Sequence, residues 1–236
     1  MLPKLQHPTA TTTLPSSNKQ VRFRPMQARE EKLLLHAKES DDQDEILTVV
    51  SQVVRNCVQD AAIKVEDLPI YDVEWLFVRI RMQSVSPVAE VSYIDRSDKK
   101  TYNFTVDLDK VTVIQEPVAK SFKVTDDVTV ELRSPSVGDY LAAVRTAAGN
   151  KDAVSEELLL RCVGKVFNGD EVIDAQGQPA DELREFVDSL DLDSYHKVVS
   201  FLDATPRLQY VIEYKNSKEE DRRIVLSKLT DFFVFA

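Results

Sequence analysis

Val88-Ala89-Glu90-Val91-Ser92-Tyr93-Ile94 is followed by the polar run Asp95-Arg96-Ser97-Asp98-Lys99-Lys100, and then by Thr101-Tyr102-Asn103-Phe104-Thr105-Val106-Asp107-Leu108. Val88, Val91 and Tyr93 lead into the charged run; Tyr102, Phe104, Val106 and Leu108 alternate with polar residues beyond it. A period of two puts one side of an extended chain in a core and the other in water. Two half-buried strands around a charged turn therefore predict a β-hairpin.

The flanks of this hairpin have a different period. A helix is expected from about Met26 to Ala37, carrying Leu33, Leu34 and Leu35. Ser40 and Gln43 read as a capping box for a second helix, in which Ile46, Val50, Val53, Val54, Cys57 and Val58 fall on one stripe. A third follows Pro69, and Trp75, Leu76, Phe77, Val78, Ile80 and Met82 make it apolar on more than one side, so it is expected mostly inside the core. Short strands are expected at Val111 to Gln115, Ser121 to Val124 and Val128 to Arg133.

Helical period returns at Val137, with Gly149 as a stop after Tyr140, Leu141 and Val144. Leu158, Leu159, Cys162, Val163 and Val166 form the next stripe, and Gly169 to Pro179 reads as a loop. Helices through Leu183 to Leu190 and Tyr195 to Leu202 come next, and Pro206 ends the second. A second hairpin, Leu208 to Tyr214 and Ile224 to Leu226 around a charged tip, nearly closes the chain. The class expected is α+β, with helical segments alternating with β-hairpin or antiparallel sheet modules. Residues 1–25 read as an extended arm and a strand, ended by Pro25. Residues 26–134 read as helices plus an antiparallel β module, and 135–236 as helices plus the C-terminal hairpin.

With 43% hydrophobic and 30% charged residues, the 236-residue chain has the composition of a folded protein rather than a disordered one. A net charge of −10 repels phosphate backbones and anionic membranes, so nucleic acid is not expected as the main ligand; a basic protein partner suits that charge. Cys57 and Cys162 both lie in apolar helical patterns and read as buried, reduced thiols. Two such cysteines do not make a secreted framework, so a cytosolic protein is expected. No apolar leader core is visible between Met1 and Lys19, and no apolar run reaches the length of a membrane span.

Reactive chemistry has little to stand on. The three histidines, His7, His36 and His196, form no ligand motif with the two cysteines, so no metal is expected. Phosphate cradles need closely spaced glycines, and the five present match neither dinucleotide nor P-loop spacing, so no cofactor is expected. Acidic pairs such as Glu30-Glu31 and Asp126-Asp127 read as solvated faces rather than as a glycosidase pair. Two segments read better as contact surfaces. On a strand, Arg22 and Arg24 would share a face opposite Val21 and Phe23, forming a basic docking edge whose removal leaves folding intact. Phe232, Phe233 and Phe235 near the C-terminus must dock on the chain's own core or anchor in a partner, because large apolar side chains left in water cost roughly 1.5–3 kcal/mol each.

Several segments, in order, resemble the T4-type phage baseplate hub family, which includes a hub subunit and a hub assembly catalyst. They are Val21-Arg22-Phe23-Arg24-Pro25 with Glu30-Glu31-Lys32-Leu33-Leu34-Leu35; Leu68-Pro69 with Asp72-Val73-Glu74-Trp75-Leu76-Phe77; and Glu182-Leu183 with Phe186-Val187-Asp188-Ser189-Leu190, Phe201, Pro206 and Asp231-Phe232-Phe233. Met26 stands where that family has Phe after the Arg-Pro pair, a packing position. The resemblance implies a non-enzymatic structural or assembly protein whose partners are other hub or tail proteins and which takes no small-molecule substrate. It would be found in the host cytoplasm during assembly or in the virion baseplate. A transient assembly catalyst absent from the mature virion, an oligomer, and a cell-wall-directed hydrolase remain open alternatives. Arg22, Phe23, Arg24, Phe232, Phe233 and Phe235 are the expected partner-binding residues.

Overall fold

The computed structural model describes residues 7–38, 43–148 and 150–232. Its elements run β1 (Ala10–Thr13), β2 (Gln20–Phe23), α1 (Ala28–Lys38), α2 (Gln43–Cys57), α3 (Ile70–Ser84), β3 (Val88–Ile94), β4 (Thr101–Asp107), β5 (Thr112–Ile114), β6 (Ser121–Lys123), β7 (Val128–Leu132), α4 (Val137–Ala147), α5 (Lys151–Cys162), β8 (Val163–Asn168), β9 (Glu171–Asp174), α6 (Ala180–Asp188), α7 (Leu192–Asp203), β10 (Arg207–Lys215) and β11 (Asp221–Leu226). The class is α+β, as the alternation of periods implies. The cap expected at Ser40, and the stop at Gly149, lie outside the described residues.

Contacts divide the chain into two compact units that are not consecutive blocks of sequence. The described residues of the first come from Met1–Val65, Tyr71–Ile114 and Arg207–Ala236; those of the second from Glu66–Ile70 and Gln115–Pro206. Thus β5 and β10, 93 residues apart at Ile114 and Arg207, pair in one sheet of order β11-β10-β5 in the first unit.

In the first unit the Thr run is not simply an extended arm. Thr11, Thr12 and Thr13 form β1, in antiparallel register with Arg22, Val21 and Gln20 of β2. Asn18 closes the turn at φ 56°, a left-handed position that asparagine tolerates, and donates its amide to the Leu14 carbonyl. This hairpin is tied to α3: Trp75 donates Nε1–H to Thr12 Oγ1 at 3.1 Å, and Ser16 donates its amide and hydroxyl to the buried Asp72 carboxylate. The apolar stripe of α2 is fully committed, with Ile46, Val50, Val53, Val54 and Cys57 all buried. A further core gathers Val78, Ala89, Val106, Leu108, Leu208, Ile212 and Phe232.

The second unit is a four-stranded antiparallel sheet, order β6-β7-β8-β9, packed with α5, α6 and α7 around Val130, Leu132, Cys162, Val163, Val166, Val198 and Phe201. Ser136 and Asp139 form a complete capping box on α4, and Asp191 accepts from the Ser194 amide at 2.7 Å to start α7. Two expectations are corrected here. The stripe through Val166 is not one helix: α5 ends at Cys162 and the chain turns directly into β8. The loop expected over Gly169 to Pro179 contains β9, which pairs Glu171 to Asp174 with Asn168 to Lys165.

One irregularity accounts for the first correction. The β7–β8 register pairs Val130 with Val166 and Glu131 with Lys165, then slips so that Leu132 meets Val163. The residue skipped is Gly164. This bulge turns Val163 and Val166 to the same face at a spacing of three, which imitates a helix in sequence. A Cβ at Gly164 would stand 3.2 Å from the Glu131 carbonyl, so the close strand approach needs glycine there.

Candidate interaction surfaces

The segment Val21 to Arg24 does not present two equivalent arginines. Arg22 is exposed, whereas Val21 and Phe23 are buried beneath the hairpin. Beyond β2 the chain bonds to the end of α2: Arg24 donates its amide to the Cys57 carbonyl at 2.9 Å, and the Gln59 amide donates to the Arg22 carbonyl at 2.9 Å. These bonds turn the Arg24 side chain inward, where it is 8% exposed. The expected shared solvent face of Arg22 and Arg24 is therefore corrected: the second arginine is spent inside the chain.

Its partner is Glu30, which is 0% exposed. Arg24 Nη2 lies 3.0 Å from Glu30 Oε1 and Nη1 lies 3.2 Å from Oε2, a two-pronged pair. The Gln27 amide donates to Oε2 at 2.8 Å, which also caps the start of α1, and Arg29 Nε donates to Oε1 at 2.7 Å. Burial pushes the Glu30 carboxyl up; the hydrogen bonds from Arg24, Gln27 and Arg29 overcome it and leave the group below its usual range. Cys57 sits beside this pair, and burial pushes its thiol up to about 12; Cys162 is pushed to about 12 for the same reason. Both are free, buried thiols of low reactivity.

At the other end, Asp231 accepts from the Ser227 and Lys228 amides at 2.9 Å each, closing a short turn. That turn drives Phe232 into the core against which Val78, Val106, Leu108 and Leu208 pack, leaving it 1% exposed. For Phe232, docking on the chain's own core is the outcome. Phe233 and Phe235 lie outside the described residues.

The densest polar cluster is one that no sequence motif announced. The β3–β4 and β10–β11 tips meet side by side. Each tip begins with an Asx turn, Asp95 Oδ1 accepting from the Ser97 amide at 2.8 Å and Asn216 Oδ1 from the Lys218 amide at 2.9 Å. Each also carries one left-handed residue, Lys99 at φ 59° and Glu219 at φ 60°. Between tips, Ser217 donates its hydroxyl to Asp98 Oδ2 at 2.8 Å, Lys218 Nζ reaches the Ser97 carbonyl at 2.7 Å, and Asn216 Nδ2 donates to Ser97 Oγ at 2.9 Å. Tyr214 donates its hydroxyl to Asp95 Oδ2 at 2.9 Å while its ring stands 5.0 Å from those of Tyr102 and Phe104. Arg222 Nε is 3.3 Å from Asp95 Oδ2, near enough for an ion pair but not aligned as a hydrogen bond.

These contacts set the charge state. The Ser97 amide, the Ser97 and Tyr214 hydroxyls and the Arg222 guanidinium hold Asp95 at about 2. The Tyr102 hydroxyl, the Lys100 amide and Ser217 hold Asp98 below the usual carboxylate range. Both carboxylates are thus ionised acceptors, used up by donors from the two tips; the arrangement is a clasp, with no proton to exchange near neutral pH. The legible trace in sequence was only that each hairpin brings a tyrosine to a polar tip.

Among the described residues, no group of three or more His, Cys, Asp and Glu side chains is placed to hold a metal ion, and no helix is long and apolar enough to cross a membrane.

No curated protein and no solved structure matches the chain. Residues 7–234, nearly the whole sequence, match the model of one family, described as the T4 bacteriophage base plate protein. That span covers the Arg24–Glu30 anchor, both clasped hairpins and the bulged sheet, and the chain belongs to the T4 bacteriophage base plate protein family.

Proposed function

We propose that this chain is a structural or assembly protein of the baseplate hub, working by protein–protein contact and not by catalysis. The match of residues 7–234 to the base plate family is the observation that carries this reading. The partners are other hub or tail proteins, met in the host cytoplasm during assembly. Arg22 is the contact residue at the N-terminal end, and Phe23 and Arg24 hold it from inside. At the other end Phe232 is taken up by the chain's own core, and Phe233 and Phe235 are the proposed contact residues.

The test is a phage lacking this protein, complemented with a tagged copy. Baseplates are expected to fail without it, and the tagged chain is expected to co-purify with hub intermediates. Arg22→Glu should fold normally and reduce that co-purification, because an exposed charge acts on association more than on stability. Normal baseplates in its absence, or cell-wall hydrolysis by the purified chain, would overturn the reading. Mass spectrometry of purified virions separates the two versions: a permanent subunit is present in them and an assembly factor is not.

A further inference from the structure

In the second unit an open apolar cleft of about 300 Å³ lies between the sheet and α6. Val128, Val166 and Ile173 form one side, and Leu183 and Phe186 of α6 form the other. Glu182 stands at its rim. The cleft adjoins β9, the last strand in the sheet order, whose Ile173 faces it beside Val166. The volume is at the small end for ligand pockets, the scale of one or two large side chains rather than of a cofactor.

The chain segments bordering the cleft are strongly acidic. From Asn168 to Glu185 the sequence carries Asp170, Glu171, Asp174, Asp181, Glu182 and Glu185 and a single basic residue, Arg184. All six carboxylates are on exposed residues; Asp174 stands opposite Lys165 on the other face of the sheet, and Asp170, Glu171, Asp181, Glu182 and Glu185 have no ion pair among the described residues. Arg184 offers them no compensation, because its guanidinium is bound by Glu157. An apolar floor inside a polar, charged rim is the layout of a protein-binding patch, where the centre supplies burial and the rim supplies steering.

We infer that this cleft is the docking site for a partner segment that inserts one or two large apolar side chains and flanks them with lysine or arginine. This rests on the reading of the chain as a protein that works by contact, and it names the chemistry of one partner. The apolar anchors would fill the space between Ile173 and Phe186, and the cations would neutralise Glu182 and the carboxylates of the β8–β9 turn. A second copy of this chain is a poor occupant, because its net charge of −10 adds repulsion where the rim requires the opposite sign.

The test uses the full chain with labelled Ile, Leu and Val methyl groups and three synthetic peptides. The first is Lys-Lys-Leu-Phe-Leu-Lys-Lys, the second has glutamate for every lysine, and the third has glycine for the central Leu-Phe-Leu. The first is expected to shift the methyl resonances of Val128, Ile173 and Leu183 and to bind more weakly as salt rises; the other two should leave those resonances in place. D181K together with E182K, both at exposed positions outside the apolar floor, should weaken binding by about tenfold. Equal binding of the acidic peptide, shifts confined to other surfaces, no binding, or methyl shifts that follow concentration of the protein alone would each overturn the assignment. If the peptide fails while the chain still co-purifies with hub intermediates, only the cleft assignment falls. If the peptide binds and co-purification fails, only the hub reading falls.

Discussion

Asp95 and Tyr214, 119 residues apart in sequence, share a 2.9 Å hydrogen bond that locks one hairpin tip to the other. The carboxylate accepts from Tyr214 while the Ser97 amide and Arg222 hold it ionised. A contact of such long separation closes a large loop and stabilises the native arrangement of the first unit rather than any local turn.

The clasp predicts a definite acid response. Asp95 is held at about 2, below its unfolded value near 3.8, so its contribution is complete above about pH 4 and is lost as pH falls through about 2. Asp95→Asn is expected to lower the melting temperature at pH 7, and the gap from the unmodified protein should narrow steadily between pH 4 and pH 2. Thermal unfolding followed by circular dichroism across that range checks it. A gap independent of pH would show that the carboxylate charge is not what the clasp uses.

Glu74 should respond in the opposite direction. Burial pushes its carboxyl up to about 7. The unfolded chain ionises it near 4.5, so holding it in the fold costs stability progressively from about pH 4.5 to pH 7 and by a constant amount above. Glu74→Gln is expected to gain about 1–2 kcal/mol at pH 8, allowing for its partial exposure, and nothing at pH 4. Urea titrations of both proteins at the two pH values measure the difference.

Removing Arg24 should be severe. Arg24→Ala leaves Glu30 ionised with 0% exposure and without its two-pronged partner, a situation that costs about 3–5 kcal/mol. Arg24→Met combined with Glu30→Leu should recover much of that, since no buried charge is stranded. A double-mutant cycle by chemical denaturation checks this, and equal losses for the single and double variants would refute it.

Gly164→Val tests the bulge. The added side chain meets the Glu131 carbonyl at 3.2 Å, and a backbone group can move only by shifting β7. A loss of about 1–3 kcal/mol is expected, with amide exchange becoming faster first around Leu132 and Val163. Unchanged stability would mean that the strands close without glycine.

Much of the fold was legible because burial imposes a period. The stripe of Ile46, Val50, Val53, Val54 and Cys57 marks α2, and the alternation of Tyr102, Phe104 and Val106 marks β4; both depend only on neighbours along the chain. The legibility failed where a partner strand decides conformation. Val163 and Val166 sit three apart because β7 forces a bulge at Gly164, and β9 exists because β8 offers it an edge. Arg24 failed for a related reason: strand parity aims it outward with Arg22, but its amide bond to Cys57 carries the chain past the end of β2 and turns it in.

Local chemistry along the chain was therefore sufficient for the α+β class, for most helices and both long hairpins, and for a resemblance that the match over residues 7–234 places in the base plate family. Only the tertiary structure decided that Arg24 neutralises Glu30, that the two hairpin tips clasp, and that an apolar cleft opens among unpaired carboxylates beside β9. The clasp and the cleft join residues far apart in sequence, and Arg24 turns to Glu30, six residues on, only because the distant Cys57 carbonyl binds its amide; no local period records which donor will face which acceptor once distant segments are packed together.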